Sequence, residues 1–387
     1  MKFIICHLKF EACILLYMSL AIYRKYRPKK LDDLIGQESI VTILKNAARR
    51  DRLAHAYLFY GSRGTGKTTA ARILAKIANC ETRKTDKKFH ATGEPCNRCI
   101  PCDEINRGQG LDVVEIDAAS NRGIDEMRNL KESIKLSPTS YRYKIFIIDE
   151  THQLTKEAFN ALLKTLEEPP AHAIFILATT EYEKVPATII SRTQRFHFRR
   201  LPLPLIVQKL KTIIAAEKLN IEDDALELIA ASADGSLRDA ESLLDQLTSL
   251  EDKVTLESVE SIIGKVGFAR VSALAELILE KKLDAALTTI SKTHTDGYNI
   301  VDLTKELIHY LRRVVTLTAN PSIETTFKNE LTDRELTLLK THAKLIQFEK
   351  HIPLLKSLIQ AYADMRYSPF VAIPLETVLI EHLRETR

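Results

Sequence analysis

Eight consecutive residues, Gly61-Ser62-Arg63-Gly64-Thr65-Gly66-Lys67-Thr68, fit the pattern of a loop that wraps a chain of phosphates. Its glycines let the backbone turn so that successive N–H groups point inward, and a helix starting behind them adds the positive end of its dipole. Lys67 has the reach for β- and γ-phosphates, the Thr68 hydroxyl suits Mg²⁺, and Thr69 completes the candidate nucleotide ligands. With glycine near ~7% of residues, the four fixed positions recur by accident in on the order of one per cent of chains this size. The loop also follows a short apolar run and precedes a helical pattern, which an accidental glycine turn has no reason to do. The implied ligand is ATP with Mg²⁺.

A second element of chemistry stands at Ile145-Phe146-Ile147-Ile148-Asp149-Glu150, an apolar strand ending in two carboxylates. In an open α/β sheet, ligands bind at the carboxyl ends of the strands, which puts this pair beside the phosphate loop. Asp149 is suited to hold hydrated Mg²⁺, and Glu150 to orient and polarise an attacking water, since phosphoryl transfer relies mainly on positioning and electrostatics. An acidic turn closing a strand is common by itself. Downstream of a phosphate loop it reads as hydrolysis rather than passive binding.

The third element is Cys80-x15-Cys96-x2-Cys99-x2-Cys102, four thiols within 23 residues. Four thiolates are the count and type that tetrahedral structural zinc prefers; an iron–sulfur cluster also takes four cysteines, so spacing alone leaves the ion open. With all four as ligands, no position remains for a substrate. Cys6 and Cys13 lie near the N-terminus and no cysteine follows Cys102, which excludes a disulfide framework spanning the chain.

Alternating elements must position these groups. Tyr57–Tyr60 reads as a buried strand feeding the phosphate loop, and Thr69–Ala78 as the helix behind it. The cysteine segment, with Gly93, Pro95 and Pro101, is a loop-rich insertion. Asp112–Ile116, Lys144–Ile148 and Ala173–Ala178 are nearly continuous apolar runs, as parallel strands covered on both faces should be. Helical segments such as Ile124–Ile134 and Lys156–Leu166 separate them, so the expected fold is a three-layer α/β P-loop NTPase domain with a parallel sheet. Leu201-Pro202-Leu203-Pro204 reads as a hinge, and nothing beyond it looks like a parallel strand. Leu205–Glu260 fits a small helical domain, and helical periodicity continues from about Val266 through stretches such as Arg270–Leu283 and Leu303–Leu317.

A chain of 387 residues is too long for one small core and calls for two or three domains. Its 45% hydrophobic and 28% charged residues are ordinary for a globular protein. The 56 basic against 51 acidic residues leave a charge of +5, which permits nucleic-acid binding without arguing for it. The apolar stretch Met1–Leu20 is interrupted by His7, Lys9 and Glu11 and falls short of the roughly 20 residues that span a bilayer. The plainer expectation is that translation starts at Met18, that residues 1–17 are a gene-model extension, and that the protein is cytoplasmic with no membrane partner.

These pieces in this order resemble the γ/τ family of bacterial DNA polymerase III clamp-loader subunits, which are AAA+ ATPases. The likeness runs from about Tyr23 to the C-terminus and is dense to about Gln246. Tyr26-Arg27-Pro28, His55-Ala56-Tyr57-Leu58-Phe59, Glu115-Ile116-Asp117-Ala118-Ala119-Ser120, Asn160 to Pro170 and Gly235-Ser236-Leu237-Arg238-Asp239-Ala240 carry it. The four-cysteine insertion looks like that family's zinc module. The resemblance implies Thr180 at the sensor-1 position near the γ-phosphate. It implies Arg192 as an arginine finger reaching a neighbouring subunit's ATP, within Ser191-Arg192-Thr193 where the family usually reads Ser-Arg-Cys, and Arg238 as the lid arginine of sensor 2. On residue type alone, an arginine after a strand is ordinarily a solvated charge and a Thr-Thr pair is ordinary turn chemistry. The resemblance also places Ser120, Asn121 and Arg122, opening a helix after the second strand, where clamp loaders track duplex phosphates.

The domains so implied are an AAA+ nucleotide-binding domain over 18–202 with its zinc module at about 80–105, a helical lid over 203–265 and an all-α collar over 266–387. The implied function is ATP-driven loading of a sliding clamp onto primer–template DNA, within a hetero-pentamer of further γ/τ copies, δ and δ′, with ATP, Mg²⁺ and Zn²⁺ as cofactors. The chain ends about where the short γ form would, with no τ-like extension in view. Two rivals are a branch-migration type DNA motor, which leaves the cysteines unexplained, and a non-hydrolysing loader subunit, which could dispense with Lys67, Thr68 and Glu150.

Overall fold

The computed structural model describes residues 21–120, 132–263, 267–328, 331–365, 367–368 and 370–384, so residues 1–17 and Met18 lie outside the described residues. Two compact units divide the chain. One runs to Leu201 and takes in Gly235–Asp239; the other holds Pro202–Asp234 and everything from Ala240.

In the first unit the strands are β1 (Ala56–Gly61), β2 (Val113–Asp117), β3 (Lys144–Asp149), β4 (Ala173–Thr179) and β5 (Gln194–Phe198), in the order β2-β3-β4-β1-β5. Every pairing is parallel. Ile145 to Ile148 on β3 and Phe175 to Ala178 on β4 are fully buried, because both faces of the sheet are covered. Tyr57, Phe59, Ile145, Ile147 and Ile176 pack under helices α1 (Glu38–Arg49) and α2 (Lys67–Asn79). Leu58, Phe146, Ile148, Phe175 and Leu177 pack on the other face with Phe159, Leu162 and Leu166. Helix α3 (Ile100–Arg107) follows the cysteine loop, and α4 (Lys156–Glu167) carries that second set of apolar residues.

Two details differ from the sequence reading. The second strand begins at Val113 because Asp112 serves as an anchor: its buried carboxylate accepts the backbone N–H groups of Thr139, Ser140 and Tyr141 at 2.7, 2.7 and 2.8 Å. Strand β5 was not expected at all, since it alternates exposed Arg195 and His197 with buried Phe196 and Phe198 and so offers no continuous apolar run. Of the helix expected at Ile124–Ile134, residues 124–131 lie outside the described residues.

The second unit is helical: α5 (Leu203–Glu217), α6 (Asp223–Ser232), α7 (Leu237–Leu250, its first three residues counted with the first unit), α8 (Leu256–Ile263), α9 (Phe268–Leu279), α10 (Leu283–Thr295), α11 (Ile300–Ala319), α12 (Asp333–Ala343), α13 (Phe348–Met365) and α14 (Ile373–Leu383). Leu203 and Pro204 open α5, with Pro202 as its cap, so the Leu-Pro-Leu-Pro run is a helix entrance. One expectation needs correcting. A parallel pairing does occur beyond Leu201, between β6 (Asn220–Ile221) and β7 (Lys253–Val254); two residues apiece leave no periodicity to read.

Residues from both expected helical domains fall into this one compact unit, and a polar network ties them. Glu260 on α8 is completely buried. Its Oε2 accepts from Arg270 Nε at 2.8 Å and from the Tyr298 hydroxyl at 2.9 Å, and its Oε1 accepts from the Gly267 N–H at 2.9 Å. The Arg270 guanidinium lies 4.4 Å from the Tyr298 ring centroid and donates to its hydroxyl at 2.9 Å, and both oxygens of the carboxylate are engaged. Removing Arg270 leaves Glu260 as an uncompensated buried charge. We expect Arg270→Ala to destabilise the helical unit by about 3–5 kcal/mol in urea unfolding of the full chain, and Tyr298→Phe by about 1 kcal/mol. Equal, near-zero losses in both variants would show that the network is ornamental.

Candidate nucleotide site and cysteine centre

The phosphate loop joins β1 to α2, and its shape depends on close approaches. Gly61 has φ 137°, and a Cβ there would lie 2.1 Å from the Phe198 carbonyl oxygen on β5. Gly64 has φ 72°, and a Cβ would lie 1.8 Å from Ser236 Oγ. Gly66, the cap of α2, is also left-handed at φ 99°. The Thr65 hydroxyl donates to the Ser62 carbonyl at 2.8 Å, and Arg200 Nε donates to Ser62 Oγ at 3.0 Å. Arg63 is exposed at the loop's tip, while Thr69 is half-buried in the first turn of α2. Lys67 is only 6% exposed, and its ammonium donates to the carbonyls of Gly61 at 2.9 Å and Ser62 at 2.8 Å. Burial lowers its pKa below the ordinary lysine value, a shift opposed by the charges of Glu150 and Asp149.

The acidic pair meets this loop. Thr68 Oγ1 donates to Asp149 Oδ2 at 2.6 Å, bringing together two hard oxygen donors of the kind Mg²⁺ takes. Glu150 leaves the strand in the left-handed region, φ 46°, an uncommon conformation for a residue with a side chain. Its N–H donates to Asp149 Oδ1 at 2.9 Å, and its Oε2 accepts the Thr180 hydroxyl at 2.9 Å. Thr180 lies one residue past the end of β4. The sequence reading missed His152, whose side chain is 4% exposed. Its Nδ1 lies 3.0 Å from Thr179 Oγ1 and 3.5 Å from Glu150 Oε2, and its Nε2 lies 3.1 Å from Glu181 Oε1. A histidine two residues beyond an acidic strand end was the available signal.

Other predicted residues stand elsewhere. Arg192 is partly exposed, pairs with Glu167 at 2.6 Å and donates to the Thr188 carbonyl at 2.8 Å. Arg238, on the first turn of α7, lies 5.1 Å from the ring centroid of Tyr23. Near it, burial lowers the pKa of half-buried Arg27, with Arg72 next in effect. Arg72 forms a two-pronged pair with Glu115 at 2.8 and 2.9 Å. Ser120 is exposed and donates to Asp117 Oδ2 at 3.0 Å; Asn121 and Arg122 lie outside the described residues.

At the far end of α2, Cys80 is the C-terminal cap, and Cys102 sits in the first turn of α3. The sulfurs of Cys80, Cys96, Cys99 and Cys102 all lie within 4.8 Å of one another, with Cys96 and Cys102 at 4.0 Å. A tetrahedral Zn–S distance of about 2.3 Å requires sulfur separations of about 3.8 Å, so the donor set fits. Backbone N–H groups of Cys96, Arg98 and Cys99 point at sulfurs at 3.4, 3.4 and 3.3 Å, the outer support thiolate ligands ordinarily have. The Cys80 thiol is held down to about 4 by its contact with Cys102, whose own thiol the same contact pushes up. Lys76, 2% exposed, donates to the Lys29 carbonyl, Asn97 Oδ1 and Asn106 Oδ1 at 2.8, 2.6 and 2.8 Å, pinning the insertion to α2.

Three family models cover this chain in series. They are described as DNA polymerase III, delta subunit, over residues 36–202; DNA polymerase III clamp loader subunit, ATPase lid domain, over 205–250; and DNA polymerase III subunits gamma and tau domain III, over 254–385. The DNA polymerase III subunit gamma of Buchnera aphidicola subsp. Acyrthosiphon pisum (strain APS) is 34% identical over 363 residues, which are 92% of this chain and 96% of that one. The chain belongs to the DNA polymerase III gamma/tau family. This gamma/tau chain is also 46% identical to the subunit tau of Bacillus subtilis (strain 168), over 79% of its own length and 53% of that protein's. The gamma/tau subunit of Mycoplasma genitalium (strain ATCC 33530 / DSM 19775 / NCTC 10195 / G37) is 37% identical over 94% of this chain and 59% of that one. The chain spans about half the length of the first curated relatives it matches. Among the described residues, no helix is long and apolar enough to cross a membrane.

Two outcomes follow from the geometry. In equilibrium binding with a fluorescent ATP analogue, Lys67→Ala should weaken affinity by about 100-fold, whereas Thr180→Ala should hold it within about threefold, because Thr180 contacts Glu150 and not the loop. Elemental analysis should find about one zinc per chain, and the cysteines should become open to a thiol reagent only after chelation, with a lowered Tm. Free reaction of all four thiols in untreated protein would overturn the metal assignment.

Proposed function

We propose that this chain is the ATP-hydrolysing motor subunit of the DNA polymerase III clamp loader, placing a sliding clamp on primer–template DNA in the cytoplasm. The observation that carries the reading is the contact of Thr180 with Glu150 beside the Thr68–Asp149 pair and buried Lys67. That arrangement belongs to hydrolysis: a passive nucleotide binder needs the loop but not an aimed carboxylate.

Lys67 and the inward N–H groups of the loop would hold the β- and γ-phosphates. Thr68 and Asp149 would hold Mg²⁺, which supplies charge neutralisation at the phosphate oxygens when bound. Glu150, fixed by Thr180 and backed by His152, would align the attacking water and draw its proton. Arg238 would contact the subunit's own nucleotide. Arg192, partly exposed and engaged by Glu167, would serve the ATP of a neighbouring subunit, stabilising charge on the γ-phosphate. Hydrolysis would then depend on assembly.

The assembly is a hetero-pentamer of further γ/τ copies with δ and δ′, acting on the clamp and on primed DNA. An exposed apolar line along α13, Phe348, Ile352 and Ile359, supports the reading of 266–387 as a collar that meets other subunits. The domains proposed are the nucleotide-binding domain over 18–202, the lid over 203–265 and that collar. Ser120, Asn121 and Arg122 would meet DNA phosphates, a contact indifferent to sequence and weakened by salt. The zinc held by the four cysteines would be structural.

The test is steady-state ATP hydrolysis with δ and δ′ from the same source, adding clamp and primed DNA in turn. Clamp and primer–template together should stimulate hydrolysis beyond either alone. Arg192→Ala should cut that stimulated rate by about a thousandfold while nucleotide affinity stays unchanged. Stimulation by any DNA with indifference to the clamp would instead make the chain a DNA motor of another kind.

A further inference from the structure

A second cavity lies at the opposite edge of the sheet from the phosphate loop. Its walls come from the chain entering β1, β3 and β4: Ala54 and His55, Arg142 and Tyr143, and Pro170, Ala171 and Ala173. Five residues of β1 separate that edge from Gly61, about 17 Å of extended chain, so this is not an extension of the nucleotide site. The cavity measures about 560 Å³, within the range of small-ligand sites.

Its charge is one-sided. Arg83, Lys84, Lys87 and Arg142 line it, against a carboxylate, Asp51, that is already engaged by His90 Nε2 at 3.0 Å. Lys84, Lys87 and Arg142 are exposed at the rim, but Arg83 is 6% exposed. The Arg83 Nη2 donates to the Ala48 carbonyl at 2.8 Å, while its buried Nη1 has no acceptor among the described residues. A guanidinium N–H left unmet in an interior is costly, and folded proteins seldom keep one without a use. Apolar Leu53, Ile77 and Ile174 supply the floor.

We propose that this cavity binds a small phosphorylated ligand of nucleotide size or less, gripped through its phosphate oxygens by Arg83, Lys84, Lys87 and Arg142. Arginine's planar fork matches phosphate oxygens two at a time, and two of the four cations are arginines. The shape separates this ligand from larger anions. A recess of this volume does not admit a duplex. None of its lining residues belongs to the edge strands β2 or β5, so an extended acidic peptide finds no free strand to pair with.

Isothermal titration calorimetry on the full chain tests this, using inorganic pyrophosphate as probe and Lys67→Ala as background to silence the phosphate loop. We expect one site, weakened by about tenfold or more when Lys84→Ala and Arg142→Ala are added, with Tm and bound metal unchanged. Those two side chains are exposed, so the variant keeps its fold even if Arg83 cannot be replaced. A control carrying Lys88→Ala and Lys211→Ala removes the same charge away from the cavity and should bind as the background does. Equal weakening in the control would reduce the effect to net charge and sink the proposal. So would pyrophosphate binding that ignores the rim substitutions, or no binding up to about 5 mM. Tight binding of hexa-aspartate in place of pyrophosphate would overturn the phosphate assignment in favour of an acidic peptide.

Discussion

A lysine ammonium with 6% of its surface exposed has to have its charge answered, and the way Lys67 is answered organises the carboxyl edge of the sheet. Two loop carbonyls accept its protons, and Asp149 and Glu150 oppose the desolvation that would neutralise it. Those carboxylates can do so only because β3 ends level with the turn after β1, which requires β4 to lie between the two strands in strict parallel register. The continuous burial of β3 and β4 therefore does more than stabilise a core. It fixes where negative charge stands relative to a buried cation.

The same requirement explains what could be read from the sequence. The phosphate loop, the acidic pair and the cysteine spacing are local patterns, each complete within 23 residues or fewer. The central strands were legible because burial on both faces leaves nothing but apolar residues at Ile145 to Ile148 and Ala173 to Ala178. Strand β5 was not: its Gln-Arg-Phe-His-Phe alternates because one side of it is exposed, and five residues of alternation are also what an ordinary loop shows. His152 was missed for another reason. Its role arises from contacts with Thr179 and Glu181, some 27 and 29 positions on, and no spacing rule near it announces them. The neighbourhood of Arg238, with Tyr23 below it, is likewise assembled from distant segments.

The helical unit shows a different economy. Its hydrophobic core runs through α9 to α14 with Leu307, Leu311 and Val314 of α11 at the centre. Beside it, the enclosed Glu260–Arg270–Tyr298 network joins α8 to α9 and to the chain entering α11. Apolar packing tolerates small slips of one helix past another; a carboxylate with three directional donors does not. Asp224 on α6 paired with Arg334 on α12 adds a second polar tie between the two helical stretches. Residues assigned by sequence to a lid and a collar are thus held in register.

The sheet order has a consequence for how the chain is made. Strand β1 takes its hydrogen bonds from β4 and β5, the last two strands of its sheet to be synthesised. Gly61 reaches its final shape only against the Phe198 carbonyl. At about 5–20 residues per second, the ribosome needs on the order of ten seconds after Gly61 to deliver that partner. Until β4 is delivered, the apolar Tyr57-Leu58-Phe59 run has no strand beside it. The nucleotide loop is therefore among the first parts of the sheet to be translated and among the last to be completed, and a nascent chain stopped short of β5 lacks the carbonyl against which Gly61 takes its shape.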